Sequence, residues 1–293
     1  MKTTTAIITA LLALTMTVAA TSCSSSNSNT TADGTSIPAT TTTTTVERPT
    51  RLVDELISTG HGHMHIRCVG SGPTTVLLIA GWDDAGDHWG EIEPALTRQA
   101  RVCSYSRFGT GSSDAPATMQ TFETQAADLH ALLEAAGEQG PYVVLGHSFG
   151  GAEAVTFTSD YSNEVKGLML LDASPVTWPD TVCSVTAYAP VCDLMHDPAN
   201  DGEQLDVVPA FEAVARITSL GDLPMTVMTA AHRIDPTLPQ RQLDRLDAAW
   251  ARGVDQWAAL SNSSRTVTVE HTGHHIEIDQ PAAVTTELLK LLP

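Results

Sequence analysis

A strand, a sharp turn and a helix are predicted around Ser148. The apolar residues 143–145 lead directly into the sequence Gly-His-Ser-Phe-Gly at positions 146–150, and a segment compatible with a helix follows. Such a turn strains the backbone of its central residue, and glycines are needed where neighbours crowd it. The turn would raise the serine hydroxyl above a sheet, beside a helix N-terminus that stabilises negative charge. Ser148 is therefore the candidate nucleophile.

Strands and helices alternate along the chain from about Arg51. Short apolar runs predict buried strands at residues 65–69, 75–80, 102–105, 142–145, 167–171, 225–228 and 266–269. Apolar residues at helical spacing predict helices at 122–133, ending at Gly137, and at 284–291. This alternation indicates an α/β protein with a mostly parallel central sheet flanked by helices, whose ligand site lies at the C-terminal ends of the strands.

A serine hydroxyl needs a base to become a good nucleophile, so a histidine is expected downstream. His274 follows Gly273 on the loop after the last predicted strand, and we take it as the base, with His275 as the second choice. The third member of the expected triad is an aspartate. Asp172, at the end of a predicted strand, is the preferred acid, and Asp235 is the alternative.

A long insertion at about residues 175–223 interrupts the alternation between strands. Insertions of this length are usually functional, and we interpret this one as a lid or cap. It contains Trp178, Tyr188 and Phe211, which suggest an apolar acyl or aryl pocket.

Residues 1–50 are expected to lie outside the folded domain, which covers residues 51–293. Lys2 and the uncharged stretch that follows it predict a signal peptide at residues 1–22. Small residues before Cys23 resemble a bacterial lipobox, so we expect Cys23 to be lipidated; signal-peptidase cleavage near Ala20 is the alternative. The Ser- and Thr-rich residues 23–50 predict a flexible linker. The protein is thus expected to be exported from a bacterial cell, as a cell-surface lipoprotein or in secreted form.

The charge of the chain excludes some classes of partner. Lys and Arg number 15 against 34 Asp and Glu, which gives a formal net charge of −19. Nucleic acid is excluded because phosphate binding needs clustered basic residues, and anionic lipid headgroups are disfavoured for the same reason. Contact with a membrane is therefore expected through the lipid anchor alone, and the substrate is expected to be small and apolar or neutral.

Four cysteines follow Cys23, an even number that favours two disulfides in an exported chain. Three pairings are possible. Cys183 and Cys192 are close enough in sequence to close a small loop, which leaves Cys68 with Cys103. No metal is expected, because the cysteines lack ligand spacing. The alternating histidines at 61, 63 and 65 and the aspartates at 83, 84 and 87 also lack the pattern of a metal site.

Three motifs together resemble the α/β-hydrolase superfamily, in its lid-bearing branch of esterases, lipases, peroxidase-like and dehalogenase-like members. They are the turn at 146–150, the histidine loop at 273–281 and the sequence Arg-Phe-Gly-Thr-Gly-Ser-Ser-Asp at 107–114, and the similarity covers about residues 52–292. The resemblance implies an oxyanion hole formed by the amides of Trp82 and Phe149, and Asp172 matches the acid of the dehalogenase-like branch. It also makes the second and fourth strands neighbours, which supports the pairing of Cys68 with Cys103.

The function that this resemblance implies is that of an exported serine hydrolase, which cleaves carboxylic esters through an acyl-enzyme and needs no cofactor. A serine disfavours dehalogenase and epoxide-hydrolase chemistry, for which the superfamily uses an aspartate nucleophile. Two alternatives remain open. An acyltransferase would share the same triad, and a non-catalytic ligand-binding relative would keep only the pocket.

Overall fold

Eight strands form one sheet in the part of the chain that the computed structural model describes, residues 52–231 and 238–293. They are β1 (Val53–Ser58), β2 (His63–Val69), β3 (Thr75–Ile79), β4 (Arg101–Tyr105), β5 (Tyr142–His147), β6 (Val165–Leu171), β7 (Met225–Ala230) and β8 (Ser264–Val269). Their order across the sheet is β1-β2-β4-β3-β5-β6-β7-β8. The pairs β1–β2 and β2–β4 are antiparallel and the others are parallel. The predicted α/β class with a mostly parallel sheet is confirmed.

Helices flank this sheet and fill the long connections. They are α1 (Ile92–Leu96), α2 (Phe122–Ala136), α3 (Phe149–Asp160), α4 (Trp178–Cys183), α5 (Ala189–Met195), α6 (Val207–Val214), α7 (Gln240–Ala258), α8 (Ile276–Asp279) and α9 (Pro281–Leu289). Helices α4, α5 and α6 belong to the insertion between β6 and β7. Among the described helices, none combines the length and the apolar character needed to cross a bilayer.

The sheet separates two apolar clusters, and the central strands are buried on both faces. Within β3, Leu77 packs in the cluster that contains residues of α2 and α3, whereas Leu78 packs in the cluster that contains residues of α1 and α9. Successive side chains of a strand point to opposite faces, so a strand covered on both sides is apolar throughout. This is why β3, β4 and β5 could be predicted from continuous apolar runs.

Several elements were not predicted, among them strand β1 and helix α7. Strand β1 lies at the edge of the sheet, and most of its side chains are exposed, so it lacks an apolar run. Helix α7 carries many charged residues, which hide its apolar stripe of Leu246, Trp250 and Trp257. The predicted end of α2 at Gly137 is confirmed, since this residue has a φ of 74° and closes the helix in the left-handed conformation.

Candidate active site

Ser148 occupies the turn between β5 and α3, with a φ of 53° and a ψ of −122°. A positive φ is uncommon for a residue with a side chain and marks a strained turn. A Cβ at Gly146 would lie 2.2 Å from the carbonyl oxygen of Gly150, and a Cβ at Gly150 would lie 2.3 Å from that of Ala80. The turn therefore requires glycine at both positions, as the sequence indicated.

The Ser148 hydroxyl meets an imidazole and, through it, a carboxylate. Its Oγ lies 3.0 Å from Nε2 of His274, and Nδ1 of the same ring lies 2.6 Å from Oδ2 of Asp172. His274 is on the loop between β8 and α8, and Asp172 directly follows β6. The structure thus brings together the three side chains that the sequence suggested as nucleophile, base and preferred acid. In such an arrangement the imidazole can accept the hydroxyl proton while the carboxylate fixes its tautomer.

The Asp172 carboxylate is held on both of its oxygens. Oδ1 accepts hydrogen bonds from the hydroxyl of Thr229 at 2.9 Å and from the backbone amide of Ala230 at 3.1 Å. The side chain is fully buried, and its backbone has a φ of 42°. Oδ1 is thus bound to residues at the end of β7, and Oδ2 is the oxygen that contacts His274. The alternative acid, Asp235, lies outside the described residues.

The neighbouring histidines have other partners. Nδ1 of His275, the second choice of base, contacts Oε1 of Glu277 at 3.0 Å. His147 is buried next to Ser148, and its Nε2 donates to the carbonyl oxygen of His274 at 3.1 Å. Burial, together with the nearby His274, lowers the pKa of His147 to about 3, so this ring is neutral at physiological pH. His147 therefore joins the serine turn to the histidine loop.

The two residues of the predicted oxyanion hole approach Ser148 from different elements. Phe149 is the first residue of α3, and Trp82 is in the loop after β3. Their rings are stacked, with centroids 5.0 Å apart and planes 4° apart. A Cβ at Gly81 would lie 3.4 Å from Cβ of Ser148, so the loop that carries Trp82 packs closely against Ser148.

Arg107, the first residue of the motif at 107–114, organises this loop. Its guanidinium is buried and donates to the carbonyl oxygens of Gly81, at 2.9 Å, and Ala80. It also donates to Oε2 of Glu153 at 2.7 Å. Burial opposes the charge of Arg107, but the carboxylates of Glu203 and Glu153 outweigh it and raise the pKa of the guanidinium. Arg107 thus remains charged and fixes the backbone that precedes Trp82.

Residues 201–206 of the insertion, which we call the strap, also bind the loop after β3. Glu203 accepts a hydrogen bond from the amide of Asp83 at 2.6 Å, and Asp201 accepts one from the indole of Trp82 at 3.1 Å. Gln120 binds the strap through two backbone hydrogen bonds of 2.9 Å. Burial raises the pKa of the Glu203 carboxyl to about 7, against the opposing effect of Arg107.

Sequence reasoning missed two residues that contact the serine and its histidine. Oγ of Ser174 lies 3.3 Å from Oγ of Ser148. The ring of Trp250 packs edge-on against His274, with centroids 5.9 Å apart. Trp250 was missed because α7 was not predicted; the spacing of Leu246, Trp250 and Trp257 was the signal that indicates this helix. Nothing in the sequence around Ser174 points to its position.

Both disulfides are present as predicted. Cys68 is bonded to Cys103, and these two residues are register partners on the neighbouring strands β2 and β4. Cys183 is bonded to Cys192 within the insertion. Cys23, the expected lipidation site, lies outside the described residues.

The alternating histidines at the start of the fold do not converge. His61 contacts Asp128, His63 contacts Asp114 and His65 contacts Asp54, each at 2.9–3.0 Å. Three different carboxylates therefore hold the three rings.

Comparison with known proteins agrees with this architecture. A family model described as the alpha/beta hydrolase fold matches residues 74–190, a range that includes the serine turn and the loop after β3. The chain has the α/β-hydrolase fold. The resemblance inferred from the motifs at 107–114, 146–150 and 273–281 is thus confirmed at the level of the superfamily's fold.

Individual proteins with this fold are similar over different shares of their length. The soluble epoxide hydrolase of Corynebacterium sp. strain C12 is 35% identical over 112 residues, which cover 38% of each chain. Lipase LipV of Mycobacterium tuberculosis is 36% identical over 110 residues, 37% of this chain and 41% of the lipase. The chain therefore matches only about two fifths of the length of each relative.

Structural similarity covers more of the chain than these sequence matches do. The solved structure of the meta-cleavage product hydrolase from Pseudomonas fluorescens IP01 superimposes with a TM-score of 0.59, covering 82% of this chain and 97% of the other. The two are 15% identical in sequence. At this identity the comparison establishes the α/β-hydrolase fold and leaves the reaction to be argued from the side chains.

Proposed function

We propose that this protein is a serine hydrolase that cleaves carboxylic esters through an acyl-enzyme. The observation that supports this most directly is the unbroken series of contacts from the Ser148 hydroxyl through His274 to Asp172, at 3.0 Å and 2.6 Å. A serine in a strained turn with a base at hydrogen-bond distance is the arrangement that nucleophilic acyl transfer requires.

The reaction proceeds in two halves. Ser148 Oγ attacks the ester carbonyl while His274 takes its proton, and the tetrahedral intermediate collapses when His274 returns the proton to the leaving alcohol. Water then attacks the acyl-enzyme with His274 as base, releasing the acid and restoring Ser148. Asp172 holds the imidazole in the tautomer that has its free lone pair on Nε2, facing the serine.

The amides of Trp82 and Phe149 stabilise the negative charge that develops on the carbonyl oxygen. Donors fixed in place before the reaction favour the transition state, and the loss of one costs about 3–4 kcal/mol in comparable enzymes. Support for this assignment comes from the position of the loop after β3 against Ser148 and from Arg107, which fixes that loop through two carbonyl oxygens.

The substrate is proposed to be a small, apolar or neutral ester that enters beneath the insertion at 175–223, which acts as a lid. Trp178 of the insertion packs edge to face against Trp250 of α7, with centroids 5.0 Å apart, and Trp250 contacts His274. An apolar wall next to the base suits an acyl or aryl group. The acidity of the chain, with a net charge of −19, disfavours anionic substrates.

Two other functions compete with ester hydrolysis. The lipase relative is consistent with ester substrates, whereas an epoxide hydrolase is nearly as similar in sequence. The serine at position 148 favours acyl transfer over epoxide opening. An acyltransferase would use the same residues and pass the acyl group to an alcohol instead of water.

Export and membrane attachment form part of the proposal. The signal peptide at 1–22, the lipid acceptor Cys23 and the linker at 23–50 are supported by sequence alone. Mass spectrometry of the N-terminal peptide from the native host would identify a diacylglyceryl group on Cys23, and a free thiol there would contradict anchoring.

The experiment that tests the enzyme is a chain-length series of p-nitrophenyl esters together with labelling by a fluorophosphonate probe. Wild type should hydrolyse short or medium esters and take up one probe per chain, and Ser148→Ala should lose both. Ser174→Ala is the matched control, because this hydroxyl lies next to Ser148 and should not be the labelled one. Folded wild type that neither labels nor hydrolyses any ester would contradict the proposal. Adding an acceptor alcohol separates hydrolysis from acyl transfer through the products formed.

A further inference from the structure

Four side chains with metal-binding atoms converge beside the serine turn and the histidine loop. His88, His147, His275 and Glu277 each offer one such atom, and these atoms all lie within 4.8 Å of one another. They come from the 3-10 turn Gly86–Trp89, the end of β5, the loop after β8 and the start of α8. Residues far apart in sequence thus place three imidazoles and a carboxylate at one point.

The carboxylate of Glu277 is the centre of this cluster. Its Oε1 lies 2.9 Å from Nε2 of His88 and 3.0 Å from Nδ1 of His275, and its Oε2 lies 3.7 Å from Nε2 of His147. The side chains of Glu277 and His147 are each only 1% exposed. A carboxylate removed from water to this extent requires a positive partner close by.

Oε2 of Glu277 is buried without a hydrogen bond, and it lies 3.7 Å from Nε2 of His147. Buried polar atoms in native proteins are almost always paired with protein, water or an ion, so this oxygen points to an additional partner. Nε2 of His147 donates to the carbonyl oxygen of His274, and it becomes a metal-binding lone pair when its proton moves to Nδ1, which has no hydrogen-bond partner.

The surroundings of His88 match those of a metal-binding histidine. While Nε2 of this ring faces Glu277, Nδ1 lies 3.5 Å from a carboxylate oxygen of Asp84. Histidine ligands commonly present their second nitrogen to a carboxylate, which fixes the tautomer and makes the first nitrogen a better donor.

Other convergent groups in the described part of the chain lack this chemistry. The groups Cys183, Cys192, His196 and Cys68, Cys103, Glu138 also have their donor atoms close together. In both, the two sulfurs are bonded to each other as a disulfide and are not thiolate ligands.

We propose that His88, His147, His275 and Glu277 bind one divalent transition-metal ion, with Zn²⁺ as the occupant that their donor set suits best. Three imidazole nitrogens and one carboxylate oxygen are typical ligands of Zn²⁺ at about 2.0–2.2 Å. Binding would require side-chain rotations that shorten the present separations of up to 4.8 Å between the four atoms. This site goes beyond the ester hydrolysis proposed above, and it changes the expectation, drawn from local spacing, that the chain has no metal.

The position of the ion would link two catalytic loops. His147 directly precedes Ser148, and His275 directly follows His274. A metal that holds both residues would fix the distance between the proposed nucleophile and its base without contacting either. Its expected effect is therefore on the stability of the site.

The test is Zn²⁺ binding to the purified full chain after treatment with a chelator. Calorimetric titration and elemental analysis after gel filtration should give one Zn²⁺ per chain, and Zn²⁺ should raise the melting temperature. His275→Ala and Glu277→Gln should weaken binding at least 100-fold and lose the rise in melting temperature. Neither readout requires esterase activity, so the result is independent of the proposed reaction.

His63→Ala is the matched control, since this histidine also contacts a carboxylate but lies outside the cluster. It should bind Zn²⁺ as wild type does. Circular dichroism checks that each variant is folded; His275 is half exposed, so its replacement by alanine leaves the core intact even where Glu277→Gln does not fold. Absence of binding to wild type would overturn the proposal. Binding lost in His63→Ala but kept in His275→Ala would overturn it as well.

Discussion

Replacing Asp172 by asparagine should abolish the proposed catalysis while leaving the fold intact. In the structure Oδ1 accepts two hydrogen bonds, from Thr229 and the Ala230 amide. The asparagine oxygen must therefore occupy the Oδ1 position, which places its NH₂ group against Nδ1 of His274. That nitrogen must then accept a hydrogen bond, so the ring proton moves to Nε2 and the imidazole can no longer accept the proton of Ser148.

The expected loss in kcat is about 10⁴-fold, the size found for the same tautomer change in the serine-protease triad, and it corresponds to about 5.5 kcal/mol of transition-state stabilisation. Stability should change far less. Both bonds to Oδ1 are kept and the contact with His274 loses its charge, so the free energy of unfolding should fall by about 2 kcal/mol or less.

The assay compares wild type, Asp172→Asn and Asp235→Asn in p-nitrophenyl ester hydrolysis, in the rate of fluorophosphonate labelling and in urea unfolding. Asp235→Asn is the control and should stay within a few-fold of wild type. The reasoning would be refuted if Asp172→Asn kept kcat within tenfold of wild type while Asp235→Asn lost it. A large drop in the unfolding free energy of Asp172→Asn would instead show that the carboxylate is mainly structural.

Three further predictions concern the framework of the site. Gly150→Ala places a Cβ 2.3 Å from the carbonyl oxygen of Ala80, so the free energy of unfolding by urea should fall by about 1–3 kcal/mol; an unchanged value would contradict the crowding argument. The folded state raises the Glu203 pKa from 4.5 to about 7, so wild type should lose stability as the pH rises through this window, because the unfolded chain releases the proton that the folded protein retains. Glu203→Gln should remove up to about 3 kcal/mol of this pH dependence, and identical pH profiles of the unfolding free energy would count against it. Replacing both Cys183 and Cys192 by alanine opens a loop with a sequence separation of 9 and should cost about 3 kcal/mol in non-reducing urea unfolding, whereas dithiothreitol added to both proteins should remove the difference between them.

Much of the fold could be predicted because a buried strand appears in the sequence as a short run of mostly apolar residues. Strands β3, β4 and β5 are buried throughout and mostly apolar, since helices cover both faces of the sheet there. Ser148, His274 and Asp172 could be proposed because each follows a recognisable strand, and strand ends on one edge of a parallel sheet meet in space.

The remaining features depend on contacts between residues far apart in the chain. His88 and Glu277 are separated by 189 positions, so no spacing in the sequence relates them. Glu203 likewise contacts Arg107 and Asp83, which lie about a hundred positions earlier in the chain, so its neighbours in sequence do not indicate these contacts. Strand β1 escaped prediction because an edge strand exposed to water keeps polar side chains on most positions.

The strap at 201–206 attaches the part of the insertion just before α6 to the loops around the serine. A hinge motion of the whole insertion would have to break both backbone bonds to Gln120 and the contacts to Trp82 and Asp83 together. None of these bonds involves α4 or α5. If substrate enters beneath the insertion as proposed, a displacement of α4 and α5 would leave all of these bonds intact, and amide exchange is expected to be faster in Trp178–Cys183 than at Gln204.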